Sequence, residues 1–168
     1  APSKEDLKNM IRSACKALNA YGVTSSQSDD YCVFRTLGWK DINAAYQELE
    51  QEGELTVRVY QQSNFTDLPS LTEFVEAGNV TGAGSEFFKI GPLKMLGDGA
   101  LGARTAYLSR PYADDPSTRG LSVFTSEEFD ALIGLAHRNG MQVAVHCIGD
   151  ACLDLVLRSL EKALAECP

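Results

Sequence analysis

Apolar positions recur three and four residues apart over the first twenty residues: Leu7, Met10, Ile11, Ala14, Ala17, Leu18 and Tyr21. That spacing is one face of a helix. Ser3 and Asp6 make a capping-box pattern at its start, and Gly22 stops it as a C-terminal glycine. Val23-Thr24-Ser25-Ser26 reads as a short β-leaning run, and residues 29–40 read as a loop. Ile42, Ala45, Tyr46 and Leu49 predict a second helix over 41–52, closed by Gly53. Leu55 to Tyr60 is the clearest strand, alternating and rich in β-formers. A short helix over 69–77 carries Leu71, Phe74 and Val75. Phe87 to Leu96 reads as a strand interrupted at Gly91-Pro92. Proline cannot donate to a ladder, so the regular part is predicted at Leu93–Leu96. Thr125 and Glu128 cap a helix striped by Phe129, Leu132, Ile133 and Ala136 and ended by Gly140. Met141 to His146 predicts the last strand. Leu153, Val156, Leu157, Leu160 and Leu164 predict a final helix over 150–166.

Strand and helix alternate, which predicts an α/β fold with parallel strands under covering helices. The chain has 168 residues, 44% apolar and 23% charged, the proportions of a globular domain. No apolar run approaches the ~18–20 residues of a membrane span. The net charge of −8 argues against nucleic acid, because phosphate binding needs a basic face. Cys15, Cys32, Cys147, Cys152 and Cys167 are odd in number and scattered, so they read as free thiols in a reducing compartment, the cytoplasm.

Gly97-Asp98-Gly99-Ala100-Leu101-Gly102 is a literal G-x-G-x-x-G after a strand. A dinucleotide site needs that loop to open a helix, and Pro111 and Pro116 interrupt the text that follows. The segment fits better as a loop at the C-terminal mouth of a sheet, where α/β active sites collect. Lys94 lies inside an apolar strand. It is either an edge lysine facing water or an inward lysine, whose burial would favour the neutral amine. A neutral lysine can take up carbon dioxide to form a carbamate, an anionic oxygen ligand for metal. His146 closes a strand, the place where a barrel presents metal ligands. His137 lies late in a helix and suits the C-terminal end of its dipole.

The run Gly91-Pro92-Leu93-Lys94-Met95-Leu96-Gly97-Asp98-Gly99-Ala100-Leu101-Gly102-Ala103-Arg104-Thr105-Ala106 resembles the signature of the amidohydrolase superfamily, specifically the family-3 metal-dependent hydrolases. Pro111 to Pro116, Arg119-Gly120, and Gln142 to Asp150 fit the same group. The resemblance implies a (β/α)8 barrel with two divalent metals, usually zinc, hydrolysing non-peptide amide C–N bonds through a metal-activated water. It further implies that Lys94 is the carboxylated strand-4 lysine bridging the metals and that His146 is the strand-5 histidine ligand. Asp98, Arg104 and Thr105 would shape the pocket of a small-molecule amide substrate.

The family pattern also has a His-x-His pair, a sixth-strand histidine and an eighth-strand aspartate. The chain has only two histidines, and a whole barrel takes about 200–250 residues. The expectation is therefore a single partial TIM-barrel domain over 1–168, about strands 2 to 5, inactive by itself and holding no metal. Open strand edges and an inner face expected to expose Val57, Val59, Met95, Val143 and Val145 predict self-association, as a homodimer. The alternative is a non-catalytic α/β module that binds a partner. Metal content separates the two.

Overall fold

A computed structural model describes residues 2–34 and 36–168. Its elements alternate along the chain: α1 (Lys4–Ala20), β1 (Ser25–Ser28), α2 (Trp39–Gln51), β2 (Arg58–Asn64), α3 (Leu68–Glu76), β3 (Phe88–Leu96), α4 (Ser126–Arg138), β4 (Val143–His146) and α5 (Asp150–Glu166). The strands form one sheet in the order β1-β2-β3-β4. β1 runs parallel to β2 with Ser25 opposite Arg58, and β3 runs parallel to β4 with Leu93 opposite Val143. Consecutive parallel strands joined by helices are the repeating unit of the (β/α)8 barrel, and the chain builds part of one.

The residues gather into two compact units. The first comprises Ala1–Asn64 and Asn79–Pro92. Its core joins Leu7, Ile11 and Cys15 of α1 to Ile42, Ala45, Tyr46 and Leu49 of α2 and to Val57 and Val59, all buried. Tyr46 stacks on Phe88 with ring centroids 4.9 Å apart. The predicted box at Ser3 and Asp6 caps α1. Lys8, buried along its stem, bonds Glu52 at 2.6 Å, and Arg12 bonds Glu5 at 2.9 Å and Glu52 at 3.2 Å.

The second unit comprises Phe65–Gly78 and Leu93–Pro168. Thr125 and Glu128 cap α4 reciprocally. Phe129, Leu132 and Ile133 are buried, as are Val156 and Ala163 of α5. Asp130 of α4 accepts from Ser159 at 2.6 Å and Lys162 at 2.9 Å of α5. These bonds hold its carboxyl below the ordinary range, the hydroxyl more than the ammonium.

The helices lie within two residues of their expected bounds, and all four strands differ. β1 starts at Ser25 rather than Val23, and β4 at Val143 rather than Met141. β2 runs Arg58–Asn64 rather than Leu55–Tyr60. Gln61-Gln62-Ser63-Asn64 has little strand propensity. Pairing with β1 reaches only Gln61, opposite Ser28. The strand also has β3 as its other neighbour in the sheet, and the Gln62 amide donates to Gln27 at 2.9 Å.

β3 is not broken at Gly91-Pro92. Phe88 and Ile90 are buried and Lys89 is exposed, whereas beyond the proline Leu93 and Met95 are buried and Leu96 is exposed. The inward phase slips by one residue across Gly91-Pro92. A slip of this kind is how a strand absorbs a proline as a bulge instead of ending.

The expected inner face is also corrected. Val57, Val59 and Met95 are already buried, at 0, 7 and 1% exposure, and Val143 and Val145 are half-buried. On β2 the alternate face carries Arg58, Tyr60, Gln62 and Asn64 instead. Val57, just before β2, and Val59 on it belong to the side packed by α1 and α2, so an apolar open face gives no reason for association there.

Candidate metal and hydrolytic site

The register of β3 on β4 places Lys94 opposite Ala144 and Leu96 opposite His146. Side chains alternate between faces, so Lys94, Leu96, Ala144 and His146 share one face. The buried Leu93 and Met95 occupy the other. Lys94 and His146 are therefore diagonal neighbours on adjacent parallel strands, about 7–8 Å apart at the backbone. Both are half-buried.

His146 is oriented by the loop after β3. Its Nε2 lies 2.9 Å from the Gly99 carbonyl oxygen. A carbonyl only accepts, so Nε2 carries the proton and donates, and in the neutral ring Nδ1 keeps the lone pair. Asp98 anchors the same loop. It is 4% exposed. Its Oδ2 accepts from the backbone N–H groups of Tyr107 at 2.9 Å and Gly149 at 2.7 Å, and Oδ1 from that of Ile148 at 2.9 Å. The Asp98 carboxylate therefore ties the turn after β3 to the turn after β4, with Oδ1 3.9 Å from His146 Nε2. The Asp98 side chain is fully buried.

The glycines follow from this closeness. A Cβ on Gly149 would lie 1.8 Å from the Tyr107 carbonyl oxygen, and one on Gly99 2.0 Å from Thr105 Oγ1. A Cβ on Gly97 would lie 2.7 Å from Cys152 Sγ, whereas at Gly102 it would meet nothing. The pattern that imitates a nucleotide loop is thus a close-packed turn, and residues 101–104 form turns instead of opening a helix. Thr105 Oγ1 accepts from Ala100 N at 3.0 Å. Arg104 has φ +54° and pairs with Asp114 at 2.5 Å. That pairing holds the Asp114 carboxyl below its usual range. Thr105 shapes the loop from within, and Arg104 lies on its exposed side.

Further bonds fix the stretch 97–124. Val123 N donates to Gly97 O at 2.8 Å, and Leu108 N to Arg119 O at 2.8 Å. Ser109 donates to Asp150 through its amide at 2.8 Å and its hydroxyl at 2.6 Å. Cys147 and Cys152 are neighbours, both free. Burial pushes both thiols up, Cys152 to about 12, which removes them as nucleophiles at neutral pH. His137 binds the Cys167 carbonyl oxygen at 2.6 Å, at the C-terminal end of α5.

Among the described residues no three of His, Cys, Asp and Glu converge on a possible metal position. The donors present, one imidazole with an available Nδ1 and one lysine on the same face, fit part of a metal centre. The keystone role of Asp98 was not anticipated from sequence. Its signal was an acid between two glycines directly after a strand, where only backbone can approach.

A model of the amidohydrolase family matches residues 1–167. The chain belongs to the amidohydrolase family. Two solved structures of metal-dependent hydrolases share its fold. An uncharacterized metal-dependent hydrolase of Pyrococcus horikoshii superposes with a TM-score of 0.80 at 33% identity, over 96% of this chain and 31% of that one. One from Pyrococcus furiosus does so with a TM-score of 0.75 at 33% identity, over 97% and 32%. The Bacillus subtilis protein YtcJ, named for this family, is 49% identical over 76 residues, which are 45% of this chain and 14% of YtcJ. The Arabidopsis thaliana protein LONG AFTER FAR-RED 3 is 30% identical over 130 residues, 77% of this chain and 22% of that protein. The chain thus spans under a third of each relative.

Proposed function

We propose that this amidohydrolase-family chain is part of a metal-dependent hydrolase that cleaves non-peptide amide C–N bonds of small molecules, with Lys94 and His146 as two of its metal ligands. The observation that carries this reading is their placement on one face of adjacent parallel strands. With Nε2 on the Gly99 carbonyl, His146 keeps Nδ1 as its nitrogen donor. Lys94, as a carbamate, offers oxygen. An imidazole nitrogen with carboxylate-type oxygens suits zinc. Bound divalent metal supplies an activated water and a polarised scissile carbonyl. The chain's own contribution is orientation. Asp98 locks the turns after β3 and β4 together, and Gly99 fixes the imidazole ring.

Two ligands are too few for such a centre, so the 168-residue chain alone is expected to leave N-acyl amino acids uncleaved and Lys94 unmodified. β1 and β4 each pair on one side among the described residues. On that ground the proposal includes self-association of the isolated chain, checked by sedimentation. Metal analysis tests the central claim. A longer protein containing this chain should hold close to two divalent ions. Lys94→Met and His146→Ala should each lower that content and abolish hydrolysis. A metal-free active protein, or full metal retention in both variants, would sink the assignment and favour the partner-binding module.

A further inference from the structure

The turns after β3 and β4 flank a shallow cleft that the metal-ligand assignment leaves unused. Leu101, Leu108, Arg110, Pro111, Ile148 and Asp150 line it, all within the second unit. It adjoins the imidazole along both turns. Gly99, whose carbonyl accepts from His146, lies two residues before Leu101, and Ile148 lies two residues after His146. Hydrogen bonds fix its walls. Ile148 N donates to Asp98 at 2.9 Å, and Leu108 N to the Arg119 carbonyl at 2.8 Å. Ser109 donates to Asp150 through its amide at 2.8 Å and its hydroxyl at 2.6 Å. The cleft is therefore pre-formed, as small-molecule sites usually are.

Its rim is apolar. Leu101 is 56% and Ile148 45% exposed, and Pro111 is exposed as well. Single exposed apolar residues are ordinary, but several on one cleft mark a binding surface. Two charged groups border them. Asp150 is engaged, since beyond Ser109 it also accepts from Ala151 N at 3.0 Å. Arg110 has no hydrogen bond or ion pair among the described residues. The nearby arginines do: Arg104 pairs with Asp114 at 2.5 Å, and Arg119 donates to the Tyr107 hydroxyl at 2.6 Å. A guanidinium presents a planar fork of donors that matches a carboxylate. Apolar walls with one uncommitted guanidinium select an aliphatic group that carries a carboxylate close by. A cationic group would be repelled by Arg110, and a strongly polar one would lose hydration against leucine and isoleucine. We propose that this cleft is a specificity subsite of the hydrolase, in which Leu101 and Ile148 seat an aliphatic group of the substrate and Arg110 pairs with its carboxylate. The subsite role rests on the hydrolytic reading, whereas the binding itself does not.

Isocaproate, an aliphatic carboxylate, and isocaproamide, its neutral counterpart, test the binding on the 168-residue chain, followed by amide chemical shifts. Saturable shifts at Leu101, Leu108 and Ile148 are expected with isocaproate. An exposed ion pair contributes modestly, so isocaproamide should bind about three- to fivefold more weakly. Arg110→Gln should erase that difference and Arg110→Lys restore part of it, while Leu101→Ser weakens both ligands alike. No saturable shift at these amides, or equal binding of the two ligands, would overturn the proposal. In a longer, metal-loaded protein containing this chain, Arg110→Gln should raise KM for carboxylate-bearing amides more than it lowers kcat, with metal content retained. An unchanged KM would remove Arg110 from the subsite. The two readings fail separately. Shifts with isocaproate but no hydrolysis by the longer protein would overturn the hydrolytic reading and leave the binding. Hydrolysis without shifts would overturn the binding and leave the hydrolysis.

Discussion

Two buried polar groups, one just after a strand and one within a strand, behave in opposite ways. Asp98, after β3, is charged, and its carboxylate accepts from three backbone N–H groups. Gln61, on β2, is neutral, equally buried, and keeps an acceptor with no protein donor. Burying a polar group costs free energy unless it is hydrogen-bonded, and the two sites meet that cost by different routes. Around Asp98, two glycine-rich turns let the backbone approach closely enough to supply donors. Around Gln61 the backbone groups are engaged in the sheet, so the donor must come from a side chain or a guest. Local chain flexibility, more than residue polarity, decides whether a buried polar group is self-sufficient.

The largest test of this contrast is Asp98→Ala. It leaves one buried and two part-buried backbone donors without their acceptor, so a loss of about 2–5 kcal/mol is expected in urea unfolding. A loss under about 1 kcal/mol would mean that the turns after β3 and β4 hold without it. Gly149→Ala forces a Cβ to within 1.8 Å of the Tyr107 carbonyl oxygen, and should cost about 3 kcal/mol as the turn is pushed off Asp98. Gly102→Ala, in the same motif but in open space, should stay within about 0.5 kcal/mol. Equal effects at the two glycines would show that the motif's packing is not what fixes the site.

Acid titration gives a smaller effect. The Asp130 carboxyl lies below its ordinary value in the fold, through Ser159 first and Lys162 second. A lowered folded pKa contributes stability that is present above the unfolded value, about 3.9, and is lost as pH falls through the folded value. Between pH 5 and 2 the melting temperature of Asp130→Asn should therefore fall less steeply than that of the wild type. Parallel curves would refute the coupling of α4 to α5 through this group. Thiol labelling is the gentlest probe. Exposed Cys167 should react first at pH 8, and buried Cys152, with its raised pKa, only on unfolding. Prompt labelling of Cys152 in the native protein would show that the turn after β4 opens.

Sequence periodicity alone determined the helices, because each buries one stripe and announces its ends with caps such as Ser3–Asp6 and Thr125–Glu128. The family was also legible, because the motif around Lys94 is long and specific; the ligand roles of Lys94 and His146 are the proposal that motif suggests. Tertiary structure decided the rest. β2 extends through Gln61-Gln62-Ser63-Asn64 as an inner strand with a neighbour on each side, which no local propensity reports. β3 passes Pro92 because a one-residue slip in the inward phase absorbs the proline. The faces of Val57, Val59 and Met95 depend on which side the helices cover, and a period of two residues leaves that choice open. Asp98 is a lone acid between glycines in the sequence. Only folding brings Tyr107, Ile148 and Gly149, distant along the chain, to within hydrogen-bond reach of its two oxygens.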